Sequence, residues 1–157
     1  MRRQSGLDFF SAMPTNLYGP NDKYDSLNSH VIPALIKKCV FAKKNNLKEV
    51  ELWGDGSPLR EFLHVDDLAS ALFFLMQRGA ECNLINIGSG KEIKIIDLIK
   101  LILDILDYDA KIKFRPDFPN GTPRKLLDSS KINLMGWGPT ISLRQGLKEV
   151  IDEYSKK

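Results

Sequence analysis

Two short apolar segments constrain this chain more than anything else in it: LDFFSAM at 7–13 and NLINIGSG at 83–90. Neither alternates apolar with polar residues, so each reads as a strand covered on both faces, the kind found in parallel sheets. The first ends at Pro14, which cannot donate to a sheet ladder, and the second closes on glycines. Strands of this kind need neighbours on both sides and helices above and below. Only about six residues precede the first of them, so the expectation is that part of the sheet, upstream of this chain, is absent from it.

Helix and strand patterns alternate through the rest. Asn16, Gly19-Pro20 and Asn21-Asp22 are turn formers, and Asn28 or Ser29 is expected to cap a helix through HVIPALIKKCVFAKKNN, with Pro33 in or beside its first turn. EVELWG reads as a strand stopped by Gly54-Asp55-Gly56. REFLHVDDLASALFFLMQRG starts extended and turns helical from Asp66 or Asp67, with Asp66 the expected cap and Gly79 the stop. In IKIIDLIKLILDILDYD, Ile95, Ile96, Ile99, Ile102, Leu103 and Leu106 share one helical face. AKIKFRP alternates as a strand, and SSKINLMGW and SLRQGLKEVIDEYSKK read as helices, the second capped by Ser142. The order predicts an α/β fold.

Composition bounds the function classes. With 43% apolar and 27% charged residues over 157 positions, the chain is expected to form one domain with its own core. The net charge of +3 comes from dispersed lysines, without the arginine-rich, aromatic-interleaved blocks of nucleic-acid grooves, so no nucleic-acid partner is expected. No apolar run reaches the roughly 20 residues a bilayer crossing needs, and Asp8 interrupts MRRQSGLDFFSAM where a signal peptide would stay apolar. Cys39 and Cys82 have no ligand spacing and read as reduced core thiols of a cytoplasmic protein.

Several residues sit where chemistry could be done. His30, near a helix start, could be a general acid or donate to an anion; a polar surface histidine is the plainer alternative. Pro14-Thr15-Asn16 follows a strand's carboxyl end, where open α/β sheets bind ligands. Trp53 beside a Gly-rich turn could stack on a base or sugar, or fill the core. Arg60, and Arg124 with Lys125 in DFPNGTPRKLLD, could contact phosphate or simply be solvated. His64, Asp66 and Asp67 in HVDD lack the further ligands that zinc or iron would require. Nucleophile-elbow, Walker and Gly-x-Gly-x-x-Gly motifs do not occur.

Taken in order, PTNLYGPND, NSHVIPALIKK, VELWGDGSPLREFLHVDDLASA, INIGSG and NGTPRKLLD closely resemble the GDP-L-fucose synthase family, within the extended short-chain dehydrogenases/reductases. The resemblance runs over nearly the whole chain and is to the family's C-terminal half. It implies residues 1–157 forming one portion: a small α/β substrate-binding domain plus the last Rossmann-type strands, near 7–13 and 83–88. It also implies conversion of GDP-4-keto-6-deoxy-D-mannose to GDP-L-fucose, by epimerisation at C3 and C5 and NADPH-dependent reduction at C4.

Pro14, Thr15, Asn16 and Leu17 fall where the family meets the nicotinamide end of NADPH, and His30 where it keeps the acid that reprotonates the enolate, beside that cofactor. Lys38, Trp53, Arg60, Asn120 and Lys125 fall at positions that hold the GDP-sugar. Lys38 stands where many relatives have arginine, and Asn120 where an aspartate is common. The family's Gly-rich cofactor loop, Tyr-x-x-x-Lys and epimerising cysteine lie upstream, so the resemblance implies an isolated chain without activity and a full-length homodimer. Another nucleotide-sugar reductase, epimerase or dehydratase of the superfamily, or a truncated non-catalytic binding module, remains the alternative.

Overall fold

A computed structural model describes residues 6, 9–24, 29–79 and 84–156. The two segments that dominate the sequence pair with each other. Strand β1 (Ser11–Pro14) runs parallel to β5 (Leu84–Ile87), in register from Ser11 opposite Leu84 to Pro14 opposite Ile87. This corrects the sequence reading in two ways. Pro14 lies inside the strand, and the ladder continues past it through Thr15 N to Ile87 O at 3.0 Å; residues 7 and 8 are outside the described set. Nor is β1 covered on both faces: Ser11 and Met13, which share one face, are exposed, and β5 is its one hydrogen-bonded neighbour among the described strands. Ile85 and Ile87 of β5 are buried against Leu63, Ala71, Leu75, Ile132 and Trp137.

Strand β2 (Asn16–Tyr18) is parallel to the end of β4 (Leu59–His64). The start of β4 is flanked by antiparallel β6 (Glu92–Lys94) and parallel β8 (Arg124–Lys125), two short strands with no sequence signature. Strands β3 (Glu49–Trp53) and β7 (Lys111–Arg115) form a separate parallel pair, as the alternation of AKIKFRP predicts for β7.

Helix α1 (Val31–Lys44) begins at an N-cap that is His30 rather than Ser29; Asn28 lies outside the described residues. Helix α2 (Val65–Arg78) is capped by His64 rather than Asp66: the imidazole Nδ1 accepts from the Asp66 amide at 3.3 Å, and Gly79 at φ 72 ends the helix. Helices α3 (Ile95–Ile105) and α5 (Leu143–Ser155) follow their predicted apolar periods, with Ser142 capping α5 through Gln145 N. A short α4 (Ser130–Leu134) precedes α5. Ile36 and Cys39 of α1, Leu52 of β3, Phe62 of β4, Ile99 and Ile102 of α3 and Leu147 of α5 close the main core. No described helix is long and apolar enough to cross a membrane.

Cys39 is fully buried, and burial pushes its thiol up to about 12 against a weaker opposing pull from Lys38. Thiolate is the reactive form. In a Cys82→Ser background, Cys39 is therefore expected to react with a disulfide reagent at pH 8 about a hundredfold slower than free cysteine, and to reach the free rate once urea unfolds the chain. Fast reaction in the folded state would refute the buried placement.

Candidate functional site

Five of the side chains singled out by sequence lie along one surface. Trp53 ends β3 and is 52% exposed, whereas Trp137 is 8% exposed and donates to Ser70 Oγ at 3.0 Å. The core alternative for Trp53 is thereby excluded. Lys38 on α1 brings its Nζ 4.6 Å from the centre of the Trp53 ring and donates to the Glu51 carbonyl at 3.2 Å. Burial lowers the Lys38 pKa from its ordinary value, with Glu51 opposing. This ammonium is half shielded and held by a ring and a carbonyl in place of a carboxylate, which leaves it attractive to an anion.

Beyond Trp53 the chain turns at Gly54, whose φ of 71 and close approach to Asn120 leave no room for a side chain: a Cβ there would lie 2.1 Å from Asn120 Oδ1. That oxygen accepts from Asp55 N at 2.8 Å, so Asn120 ties its loop to the turn that follows Trp53. The adjoining Gly121 lies against the Arg60 guanidinium, and Arg60 pairs in register with Lys125 across β4 and β8. Arg124 is tied to Glu92 by two bonds of 2.7 Å. Its neighbour Lys125 and Arg60 have no such carboxylate among the described residues. Of the Arg124–Lys125 pair, then, Lys125 is the cation left for a ligand.

Lys38, Trp53, Asn120, Arg60 and Lys125 thus form one continuous shelf. Beside it a cleft of about 430 Å³ runs between α1, Trp53 and Tyr154 of α5, lined by Lys37, Lys38 and Lys44. Lys37 donates to the Tyr24 carbonyl at 3.1 Å.

The loop expected at the cofactor joins the shelf through a residue the sequence did not mark. Thr15 Oγ1 and Asn16 Nδ2 both donate to the Glu61 carbonyl, at 3.3 and 2.8 Å. The Glu61 side chain is completely buried, its Oε1 accepting from Gly90 N at 2.7 Å and its Oε2 from Leu127 N at 3.1 Å. One residue therefore ties together the Thr15-Asn16 turn, the Gly88-Ser89-Gly90 loop and the segment after Lys125. Asp67 acts likewise at 2% exposure, taking Thr140 N, Thr140 Oγ1 and Ile141 N. His30 stands apart: it is exposed, and its side chain caps nothing. It precedes Lys38 by eight residues on one helix, about 12 Å along the axis.

Residues 1–88 match the model of the NAD dependent epimerase/dehydratase family. This chain belongs to that family. Among curated members it is 51% identical to GDP-L-fucose synthase 1 of Arabidopsis thaliana over 99% of its length and 48% of that protein's. It is 44% identical to the GDP-L-fucose synthase of Escherichia coli over 92% of its length and 48% of that protein's. A solved GDP-L-fucose synthetase from Naegleria fowleri, bound to NADP, superposes with a TM-score of 0.85 at 27% identity, covering 94% of this chain and 47% of that one. The chain spans about half the length of the curated relatives it matches. The resemblance to GDP-L-fucose synthases and the α/β fold of the extended short-chain family are both borne out. Glu61, β6, β8 and Phe118, which stacks on Trp53, escaped sequence reasoning, and Asp67, noted only within the metal-like HVDD cluster, instead receives the Thr140 and Ile141 amides.

Proposed function

We propose that this chain is the nucleotide-sugar-binding portion of a GDP-L-fucose synthase. On this reading it holds GDP-4-keto-6-deoxy-D-mannose for epimerisation at C3 and C5 and for NADPH-dependent reduction at C4. The continuous shelf from Lys38 through Trp53 to Arg60 and Lys125 carries the reading, because it pairs a half-exposed indole with three cations, of which Arg60 and Lys125 have no carboxylate partner among the described residues. A nucleoside diphosphate sugar needs both, a flat face for its base or sugar and positive charge for its diphosphate. Arg60 offers a planar fork and Lys38 and Lys125 offer point charges.

Pro14 and Leu17 floor the nicotinamide end of the cofactor. Thr15 Oγ1 and the Asn16 amide nitrogen donate to the Glu61 carbonyl and so hold that floor in place. These four residues fit a flat ring at the carboxyl end of parallel strands, the usual place for it. They offer no phosphate cradle, and Gly-x-Gly-x-x-Gly is not in the sequence. NADPH, when bound, supplies hydride to C4. His30 returns a proton to the enolate carbon during epimerisation; its side chain is exposed and makes no capping bond, which leaves it accessible to a sugar. Neither Cys39 nor Cys82 is assigned as the opposing base, Cys39 because it is sealed in the core. The chain alone is then catalytically inactive. The family resemblance carries with it a homodimer in the cytoplasm.

Titration of the 15N-labelled chain with GDP-mannose, UDP-glucose and dTDP-glucose tests the reading. Amide shifts at Trp53, Arg60 and Lys125 are expected with GDP-mannose first, weakening as salt is raised because the contact is ionic. Equal response to all three sugars, or none to GDP-mannose, would refute it.

A further inference from the structure

We propose that Phe118 is a specificity-determining residue for the nucleotide: by backing Trp53 it fixes the indole as a stacking platform for a purine base at the mouth of the lysine-lined cleft. The inference rests on the nucleotide-sugar reading above and deepens it by naming what selects the base.

Phe118 lies parallel to Trp53, ring centres 4.4 Å apart and planes 3° from coplanar. Two rings that close are in van der Waals contact, so no third ring fits between them. The face of Trp53 toward Phe118 is therefore shut. The cleft of about 430 Å³ includes Trp53, Lys38 and Lys44 in its lining and excludes Phe118, so a ligand reaches the indole from the α1 side. Lys38 now rests over the ring at 4.6 Å, and its flexible stem lets the ammonium pass from indole to phosphate as a base arrives.

Phe118 is itself held. Its amide donates to the Arg115 carbonyl at 3.1 Å, and the Arg115 guanidinium sits 5.5 Å from its ring. That guanidinium is clamped by Asp117 at 3.1 and 2.9 Å and by Glu51 at 2.8 Å. Arg115 is also the register partner of Trp53 across β3 and β7. The backing ring is thus built from the strand next to the platform, and its turn is pinned on both sides. An indole half in water, with neither face packed, would sample several rotamers. Phe118 removes that freedom and leaves one plane for a base to meet. A two-ring purine overlaps such a platform more than a one-ring pyrimidine does, so the device favours GDP over UDP.

The test compares wild-type chain with Phe118→Ala and Phe118→Tyr, titrated with GDP, UDP and inorganic pyrophosphate. Binding is read from the indole N–H signals of the two tryptophans, assigned with Trp53→Phe. Phe118→Ala is expected to weaken GDP about tenfold, to leave pyrophosphate within about twofold, and to bring GDP and UDP close to equal. Phe118→Tyr is expected to restore the preference for GDP. If wild type binds GDP and Phe118→Ala binds it equally well, the role of Phe118 is overturned while the nucleotide-sugar reading stands. If GDP and pyrophosphate weaken together, the loop acts on charge or folding, and the inference fails. If wild type binds no GDP, both readings fall.

Discussion

Glu61→Gln is expected to lower the unfolding free energy of this chain by about 3 kcal/mol, a large share of what a domain this size has to lose. The carboxylate is completely buried and accepts one N–H on each oxygen, from Gly90 and from Leu127. An amide has one acceptor and one donor end. Whichever way it is turned, glutamine sets N–H against N–H at one of the two contacts. Gly88 leaves no slack for adjustment, since even a methyl there would come within 2.4 Å of Glu61 Oε1. Glu61→Ala should be at least as damaging, because two buried amide donors lose their partners. Urea unfolding followed by tryptophan fluorescence should show an earlier midpoint with an unchanged slope. In the folded fraction, amide signals at Thr15, Asn16 and Lys125 should move together. A wild-type midpoint for Glu61→Gln would mean that the carboxylate does not hold these loops.

What pattern reasoning reads well here is what a single segment decides for itself. The α3 stripe is written in a 3.6-residue period, and β7 in strict alternation. Gly79 and Ser142 terminate and cap helices by local geometry. Most of the failures share one cause, which is that the deciding partner lies far along the chain. Strands β6 and β8 are three and two residues long and exist because β4 offers them its two edges. Glu61 carries no local sign of burial and Asp67 sits in the metal-like HVDD cluster, yet both are buried to receive amides from residues 29 to 74 positions away. His64 resembled a ligand in a metal-like cluster and instead accepts the first amide of a helix, a role usually filled by serine, threonine, aspartate or asparagine.

The candidate site divides the same way. Trp53, Arg60 and Lys125 each carry a local hint, but nothing local says that they meet. Arg60 and Lys125 are joined by a parallel strand pair, and Lys38 reaches Trp53 from another element altogether. Only the order of motifs over the whole chain, matched to a family, gathered them before the structure did. Even that left out Phe118, which lies in a proline-punctuated loop where an aromatic ring gives no sign of what it covers.

His30→Asn is expected to separate chemistry from binding more sharply than any other change in this chain. The test needs both halves of the enzyme, so the chain is grafted in place of the corresponding half of the Arabidopsis synthase, to which it is 51% identical. Asparagine is a good N-cap residue, and His30 makes no side-chain capping bond that could be lost. Folding of α1 is therefore expected to be unchanged or slightly improved. Lys38, Arg60 and Lys125 are untouched, so the KM for the GDP-sugar should stay within about threefold, as expected when only a transition-state contact is removed. Loss of a positioned general acid should slow epimerisation by about 10²–10⁴-fold. The direct readout is deuterium: in D₂O the unmutated graft should place label at C3 and C5 of the product, and the variant should release mainly unepimerised, reduced sugar. Epimerisation at the unmutated rate would remove His30 from the chemistry and leave the binding shelf standing. A large rise in KM instead would make His30 a substrate contact, with the proton coming from another group.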